Sequence, residues 1–473
     1  MGRRPPNSDY AHILAPEDEE LARAAGPDEH SHYQDESWEG DEEETVYGGE
    51  NRDRQHAPVQ LLKPTPKRRW KGLWIGVGVV AYFLLVWQIW GLVHWSEAPV
   101  LKVLTTMPVF STSLGCLAES DAPFTHTETK SIPIGTERSD LQFDIRGGAV
   151  GTLTLTRLES AFASGNPHEV TRNEVEMDLI MRSNNATLAK HFVFYEPPVN
   201  PDGSVDASHF VLFTPHADYI QPPPSNETNE PLGEDFVPQC MRFDVVLRIP
   251  STLKKLHVST YGPTHLLFDS SMEIPEWEEE LHLEDMKITM FAFDKRNLLV
   301  MNDNGEKDGT SIRSKRMTLE AHGGWITGNI PIMKRTEILA RGAAVTNVRV
   351  QPLPASYYDS DAPEDDVAEL LTVAGTGRAD IIYEHQEHEP HRRIKSEHYA
   401  IDAGRETMSL RYRKAGLNGV VNVKAMQVQV KKIDSTLVSG ALAKQGGKVV
   451  VGKKAGGDSV VINSPAGWVG LHV

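Results

Sequence analysis

The stretch FDVVLRIPSTLKKLHVSTYGPTHLLFD (Phe243–Asp269) alternates apolar and polar residues, stops at a proline, and then alternates again. A period of two residues is typical of a β-strand with one buried face, and proline and glycine mark corners between strands. The same period recurs in LQFDIR (Leu141–Arg146), EVEMDLIM (Glu174–Met181) and MKITMFAF (Met286–Phe293), whereas long amphipathic helical patterns are scarce. These patterns predict that the second and larger part of the chain is all-β.

The C-terminal half repeats a loose unit of a short alternating segment, a glycine-marked corner and another short segment. Leu319–Ile330, Leu371–Tyr383 and Gly447–Val473 show it. Short units of this kind suit a solenoid, in which each coil buries its apolar face against its neighbours. A strict repeat is missing, so a solenoid-like fold is favoured and a pair of β-sandwiches stays open as the alternative.

The N-terminal region has a different composition. Residues 1–62 contain acidic clusters such as Glu17–Glu20 and few large aliphatic residues, which predicts a disordered tail. Residues 63–71 are basic. The next run, Gly72–Val93, contains no charged residue, and as a helix it would be about 33 Å long, enough to cross a bilayer. The sequence therefore predicts a single transmembrane helix over 72–95.

Basic residues precede this span and few follow it, so the positive-inside rule predicts a cytosolic N-terminus. The lipid bilayer would be one partner, in the plasma membrane or in a secretory or vacuolar membrane. Residues 96–125 are predicted to form a stalk, and residues 126–473 a β-rich ectodomain on the lumenal or extracellular side.

Two further features agree with an oxidising compartment. The only two cysteines, Cys116 and Cys240, follow the predicted span, and we expect them to form a disulfide. Two N-glycosylation sequons, at Asn185 and Asn226, lie in the same region. Asn226 is the better candidate, because QPPPSNETNEP is typical of an exposed loop.

Several segments of the C-terminal half resemble a known group. They are the strand ending in R-I-P with S-T-L-K-K-L-H-V after it, L-x-A-x-x-G-x-I-x-G from Leu319, and the terminal G-G-D-S-V-V-I-N-S-P-A-G-W-V-G-L. This pattern resembles the adhesin-type β-solenoid domains of unknown function found in bacteria and in fungal single-pass membrane proteins. An insertion at about 275–315 departs from it. The resemblance implies a β-rich surface or lumenal module and supplies no catalytic residues.

Motifs for catalysis are weak. Gly447–Lys453 matches the start of a phosphate-binding loop, but Lys454 occupies the position of the required Ser or Thr, and the valines indicate a strand. No catalytic residue, cofactor or nucleic-acid partner is therefore expected. A histidine-rich segment could supply metal ligands if its side chains converged. Its helical zinc motif fails at Arg392, so we interpret it as an exposed loop without a metal site; its histidines are His385, His388 and His391, and His398 follows at the start of the next strand segment.

The sequence thus favours a non-catalytic, membrane-anchored β-module for adhesion, binding or scaffolding, with cell-wall glycans or surface proteins as expected partners. Two alternatives remain open at this point. One is a polysaccharide-active β-helix enzyme, whose carboxylates would meet on one face. The other is a membrane sensor that signals through its acidic tail.

Overall fold

The computed structural model divides the chain into two units, residues 1–94 and 95–473. Of the first unit it describes only Tyr82. In the second unit it describes residues 114–116, 123–158, 173–215, 239–268, 281–301, 312–354, 366–385, 391–401, 407–431, 438–443 and 446–473.

The second unit is built from β-strands. The alternating segments form strands because one face of each can be buried while the other stays polar. The strands are β1 Phe124–Pro133, β2 Asp140–Arg146, β3 Val150–Arg157, β4 Glu174–Ser183, β5 Val193–Tyr195, β6 His209–Phe213, β7 Met241–Ile249, β8 Lys255–Thr260, β9 Thr264–Phe268, β10 Leu281–Met290, β11 Leu298–Met301, β12 Ile312–Ala321, β13 Trp325–Ile332, β14 Arg335–Ala340, β15 Val345–Pro352, β16 Val367–Ala374, β17 Arg378–Glu384, β18 Arg393–Ala400, β19 Thr407–Lys414, β20 Gly419–Lys431, β21 Val438–Ala443, β22 Gly446–Val451 and β23 Asp458–His472. Short 3₁₀ helices lie at Leu188–Lys190 and Lys454–Gly456.

From β8 to β19, strands two places apart along the chain pair in parallel, which produces two ladders that begin with β2 beside β8 and β3 beside β9. The first ladder runs β2, β8, β10, β12, β14, β16, β18. The second runs β3, β9, β11, β13, β15, β17, β19. A corner of three to seven residues joins each first-ladder strand from β2 to β16 to the second-ladder strand that follows it. β10 and β11 continue both ladders in register, although they lie in the segment that departs from the sequence pattern.

Both ladders meet at the C-terminal strand. β23 pairs with β18 through its first half and with β19 through its second half, and β20 pairs along its length. The ladders therefore belong to one 23-stranded sheet. At the other end, β1 and β4 add antiparallel strands beside β7, and β5 pairs with β6.

The core consists of the inward residues of both ladders. In the first ladder one register row runs through Phe143, Val258, Ile288, Leu319 and Ile338, all at most 1% exposed. Burial of each such side chain stabilises the fold by about 1.5–3 kcal/mol relative to its exposure. Large apolar side chains, which occupy every second position of each strand, thus pack against one another from strand to strand.

The predicted fold class needs correction in two respects. The described strands form one continuous all-β sheet, where a solenoid-like fold or a pair of β-sandwiches was predicted. Within the ranges given above, no helix has the length and apolar character that a bilayer crossing requires. The predicted transmembrane helix and the single-pass membrane localisation are wrong on this finding. Residues 1–62, 63–71 and, apart from Tyr82, 72–95 lie outside the described residues.

Candidate functional site

One corner of the sheet carries a continuous row of side chains that the register fixes. The last residues of the first-ladder strands pair with one another, from Ile145 through Thr260 and Met290 to Ala400. The ladder continues for one more residue. The amide of the residue that follows each of these positions donates to the carbonyl of the paired position in the previous strand, as Phe291 does to Thr260. We call this set the corner row: Arg146, Tyr261, Phe291, His322, Arg341, Gly375 and Ile401.

The first part of the corner row is a stack of rings. The Arg146 guanidinium carbon lies 5.1 Å from the centre of the Tyr261 ring. The Tyr261 and Phe291 rings stack at 4.8 Å, and the His322 ring lies 5.5 Å from Phe291. Phe293 adds a ring at 5.1 Å from His322, edge to face. We call Tyr261, Phe291, Phe293 and His322 the aromatic strip.

The aromatic strip is exposed. Tyr261 is 41% exposed, Phe291 38% and Phe293 78%. Tyr261 and Phe291 stack on each other, and each still keeps a substantial part of its surface exposed. Phe293 meets His322 edge to face and leaves most of its surface to solvent. Contiguous exposed aromatic side chains on a folded protein mark interaction sites more often than single exposed ones.

The loop that carries Phe291 and Phe293 is fixed by polar contacts. The buried Asn297 amide accepts from the Thr264 amide at 3.0 Å and donates to the Ala292 carbonyl at 2.7 Å. Arg296 donates to both oxygens of Asp294, and this hydrogen bonding holds the pKa of that carboxyl below its usual value. The loop therefore presents Phe293 in a preorganised position.

Gly342 provides room beneath Phe293. Its φ is +49°, in the left-handed region that favours glycine. A Cβ atom there would lie 2.9 Å from the His322 carbonyl oxygen and 3.5 Å from the Phe293 ring. A side chain at this corner would therefore be strained by the backbone conformation and would crowd the His322 carbonyl, whereas its contact with the Phe293 ring would be an ordinary one.

Ion pairs lie on either side of the strip. The Arg146 guanidinium donates to buried Asp144 at 2.9 Å, and His209 lies 3.2 Å from the same carboxylate. Glu320 accepts from Arg341 at 3.1 Å and lies 3.4 Å from His322 Nε2. The apolar strip thus has a border of charged groups that are already oriented by partners.

The two cysteines lie near the loop that carries Phe293. Cys116 and Cys240 form a disulfide with their Cα atoms 5.5 Å apart. The carbonyl of Leu114, two residues before Cys116, accepts from Arg296 at 2.7 Å. This short segment is therefore tied both to the start of β7 and to the loop that carries Phe293.

The sequons lie elsewhere. Asn185 is half-buried in the turn after β4, and its side-chain oxygen accepts from the Thr187 amide at 2.8 Å. Asn226 lies outside the described residues. The assignment of Asn185 and Asn226 as glycosylation sites stays a prediction.

The histidines in and after the histidine-rich segment lie in different places in the structure. His398 points into the core, where its ring nitrogens lie 2.6 Å from Thr372 Oγ1 and from Tyr412 Oη, and burial lowers its pKa to about 3. His391 Nε2 lies 3.0 Å from Asp458 and its ring 5.7 Å from that of His385. His388 lies outside the described residues, and the residues that are described contain no cluster of three or more metal-ligating side chains.

The phosphate-loop match is part of the sheet. Gly447–Val451 belongs to strand β22, which pairs antiparallel with β20 and β21. Nearby, the buried Asp458 accepts from the amides of Ile394 at 2.9 Å and Asn418 at 2.6 Å. These contacts link three strands and serve the fold.

Two short stretches of the sequence point to the aromatic strip. MFAF (Met290–Phe293) places two phenylalanines at the end of an alternating segment, where a glycine or polar corner residue is usual. Tyr261 likewise stands directly before Gly262-Pro263. Only the register shows that these corners are neighbours, because about thirty residues separate each from the next along the chain.

Comparisons with known proteins identify no family for this chain. No protein-family model matches the chain, and no curated protein matches it. A crystal structure of a candidate adhesin from Bacteroides fragilis is 9% identical, covering 74% of this chain and 98% of that chain, with a TM-score of 0.31. That of a candidate cell adhesion protein from Clostridium sporogenes is 10% identical, covering 74% and 99%, with a TM-score of 0.19. Similarity at this level carries no argument about function, which must come from the side chains.

Proposed function

We propose that this protein is a non-catalytic binding module that holds a glycan on the aromatic strip. The observation that carries the proposal is the exposed, preorganised Phe293 at the end of a stack of rings. Aromatic side chains present apolar area at little cost in conformational entropy, and for that reason they dominate many binding surfaces.

A sugar ring fits the chemistry of this corner. One face of many sugars presents C–H groups, which pack on an aromatic face, and the rim presents hydroxyl groups. Phe293 supplies the aromatic face, and the Arg341 guanidinium, which is 42% exposed in the same corner and paired with Glu320, supplies hydrogen-bond donors. Binding sites with an apolar surface and a few oriented polar groups are typical for small polar ligands.

The shape of the strip also favours a chain-like ligand over a protein. A stable protein interface buries about 800 Å² on each partner. The aromatic strip is one side chain wide and follows the corner across three neighbouring strands, β8, β10 and β12. A narrow strip of this kind suits a polymer better than a flat protein surface.

Binding without cleavage is supported by the carboxylates beside the strip. Glycosidases direct two carboxyl groups at the scissile bond. Here Asp144 is engaged by Arg146 and Glu320 by Arg341, so neither is directed toward Phe293 as a free group. Among the described residues of this corner, these two carboxylates are thus both paired with arginines, which favours binding over cleavage.

The experiment is affinity electrophoresis of residues 95–473 in gels that contain soluble β-glucan, xylan or a chitin derivative, with product analysis of the same mixtures. Retardation of the protein by at least one polysaccharide, without new reducing ends, is expected. Release of shorter products would favour the enzyme, and free migration in every gel would contradict the proposal.

A further inference from the structure

The first ladder carries an unusual patch beyond the aromatic strip. In the outward row next to the corner, Glu320 pairs with Leu339, Leu339 with Val373, and Val373 with Tyr399. Leu339 and Val373 are half-buried between buried neighbours in their strands, so they face outward, and Tyr399 is half-buried in the same register row. Ile401, in the corner row beside Tyr399, is 53% exposed.

We call Leu339, Val373, Tyr399 and Ile401 the apolar extension. Its position along the sheet continues the aromatic strip. The strip occupies the corners after β8, β10 and β12, and the extension occupies β14, β16 and β18, the next three strands of the same ladder. Arg341 and Gly375 fill the corner row between them.

Most of the other outward residues of these strands are charged; the exceptions are Val367 and Leu371 in β16. Arg335 lies 3.5 Å from Glu369, and Lys395 lies 3.7 Å from Glu369 and 3.3 Å from Glu397. This network is what a solvated sheet face is expected to carry. Only in the row next to the corner do apolar residues follow one another from strand to strand, as Leu339, Val373 and Tyr399, and there they form a band along the ladder.

We infer that the glycan site extends over six strands and takes a long linear chain that runs across the strands, from Tyr261 to Ile401. This inference rests on the proposed function of the aromatic strip. Five strand spacings of about 4.8 Å give a band about 24 Å long. The chain would lie with its C–H faces on the band and its hydroxyl groups toward the charged residues on the margin.

The polar border supports a sugar chain as the occupant of the extension. The Tyr399 hydroxyl donates to Glu397 at 3.0 Å, and Lys395 lies next to the same carboxylate. Thr376, exposed at the corner after β16, donates its hydroxyl to the Gly342 carbonyl at 3.1 Å. The polar groups thus follow the apolar band along its length, as an amphipathic ribbon requires.

The test measures affinity against chain length by calorimetry, with series of linear β-1,4-linked gluco- and chito-oligosaccharides of increasing length. The wild type is compared with Tyr399→Ser/Ile401→Ser. The control is Val193→Ser, which removes an exposed apolar side chain, 64% exposed, from strand β5 at the far end of the first ladder. Circular dichroism and urea unfolding show whether each variant keeps its fold.

The wild type and the control should bind longer chains more tightly until the chain covers the band. The double variant should bind short chains like the wild type and lose about tenfold in affinity for long ones. Equal affinity of the wild type for all lengths would overturn the extended site and leave the proposed function intact. Absence of binding at every length would contradict the proposed function itself, and the extension with it.

Discussion

The Arg146 guanidinium lies over the Tyr261 ring at 5.1 Å, and buried Asp144 holds it there at 2.9 Å. The carboxylate fixes the cation, and the cation covers the ring face that Phe291 leaves free. A charged pair and an aromatic stack therefore support each other at the start of the corner row.

A double-mutant cycle with Arg146→Gln and Tyr261→Leu tests this relationship. Cation–π contacts at exposed sites contribute about 0.5–1 kcal/mol, so the two substitutions should be coupled by about that amount. Urea unfolding of the four proteins measures the coupling. Additive losses would show that the contact between the two side chains contributes nothing to stability.

The disulfide should contribute a large share of the stability of the β-unit. Cys116 and Cys240 are 124 residues apart, and the chain-entropy model assigns about 5 kcal/mol to a cross-link of that length. Cys116→Ser/Cys240→Ser should therefore unfold at a much lower urea concentration. Thiol labelling of the denatured, unreduced wild type is the direct measurement: no reactive thiol is expected, and two per chain would contradict the bond.

His398 should make stability depend on pH. Its pKa is lowered to about 3 by burial, whereas an unfolded histidine titrates near 6.5. As pH falls below 6.5, His398 becomes protonated in the unfolded chain but stays neutral in the folded chain. The free energy of unfolding should therefore decrease by about 1.4 kcal/mol per pH unit through this residue, from pH 6.5 towards 3.

Urea unfolding at pH 6.5 and 4.5 measures this effect in the wild type and two variants. His398→Gln should show a shallower pH dependence, because the titrating group is gone. Thr372→Val removes the hydroxyl 2.6 Å from Nδ1 but keeps the imidazole, so it should be less stable and retain the wild-type slope. The same slope in His398→Gln as in the wild type would show that other groups cause it.

Asn185 and Asn226 are expected to carry glycans when the protein is produced through a secretory pathway. The Asn185 turn leaves Thr187 exposed beside it, as an acceptor sequon requires. Endoglycosidase treatment should lower the apparent mass, and Asn185→Gln and Asn226→Gln should each remove part of that shift. An unchanged shift in either variant would reject that asparagine.

The sequence predicted the strands well and their arrangement only in part. The opening stretch contains most of β7 and all of β8 and β9, and its proline, Pro250, directly follows β7. Alternation identifies such strands because the inward residues must be apolar. It does not fix which residue of one strand lies beside which residue of the next, since any even shift keeps the same face inward.

The candidate site depended on that missing register. Phe291 and His322 are 31 positions apart in sequence and are neighbours in the corner row. A phenylalanine in an alternating segment is normally interpreted as a core residue. The sequence alone therefore does not show that Phe291 and Phe293 are exposed at a corner. The uncharged run from 72 predicted a membrane helix, and no helix in the described part of the chain is long and apolar enough to be one.

The most direct test of the account is the affinity of Phe293→Ser for the polysaccharide fragment that the wild type binds, measured by isothermal titration calorimetry. Phe293 is 78% exposed, so its loss should leave stability nearly unchanged. The matched control is Phe124→Ser, which removes a 40% exposed phenylalanine from β1. The account predicts at least about a tenfold loss of affinity for Phe293→Ser and none for the control. Equal affinity of Phe293→Ser and the wild type would contradict the claim that the aromatic strip is the binding site.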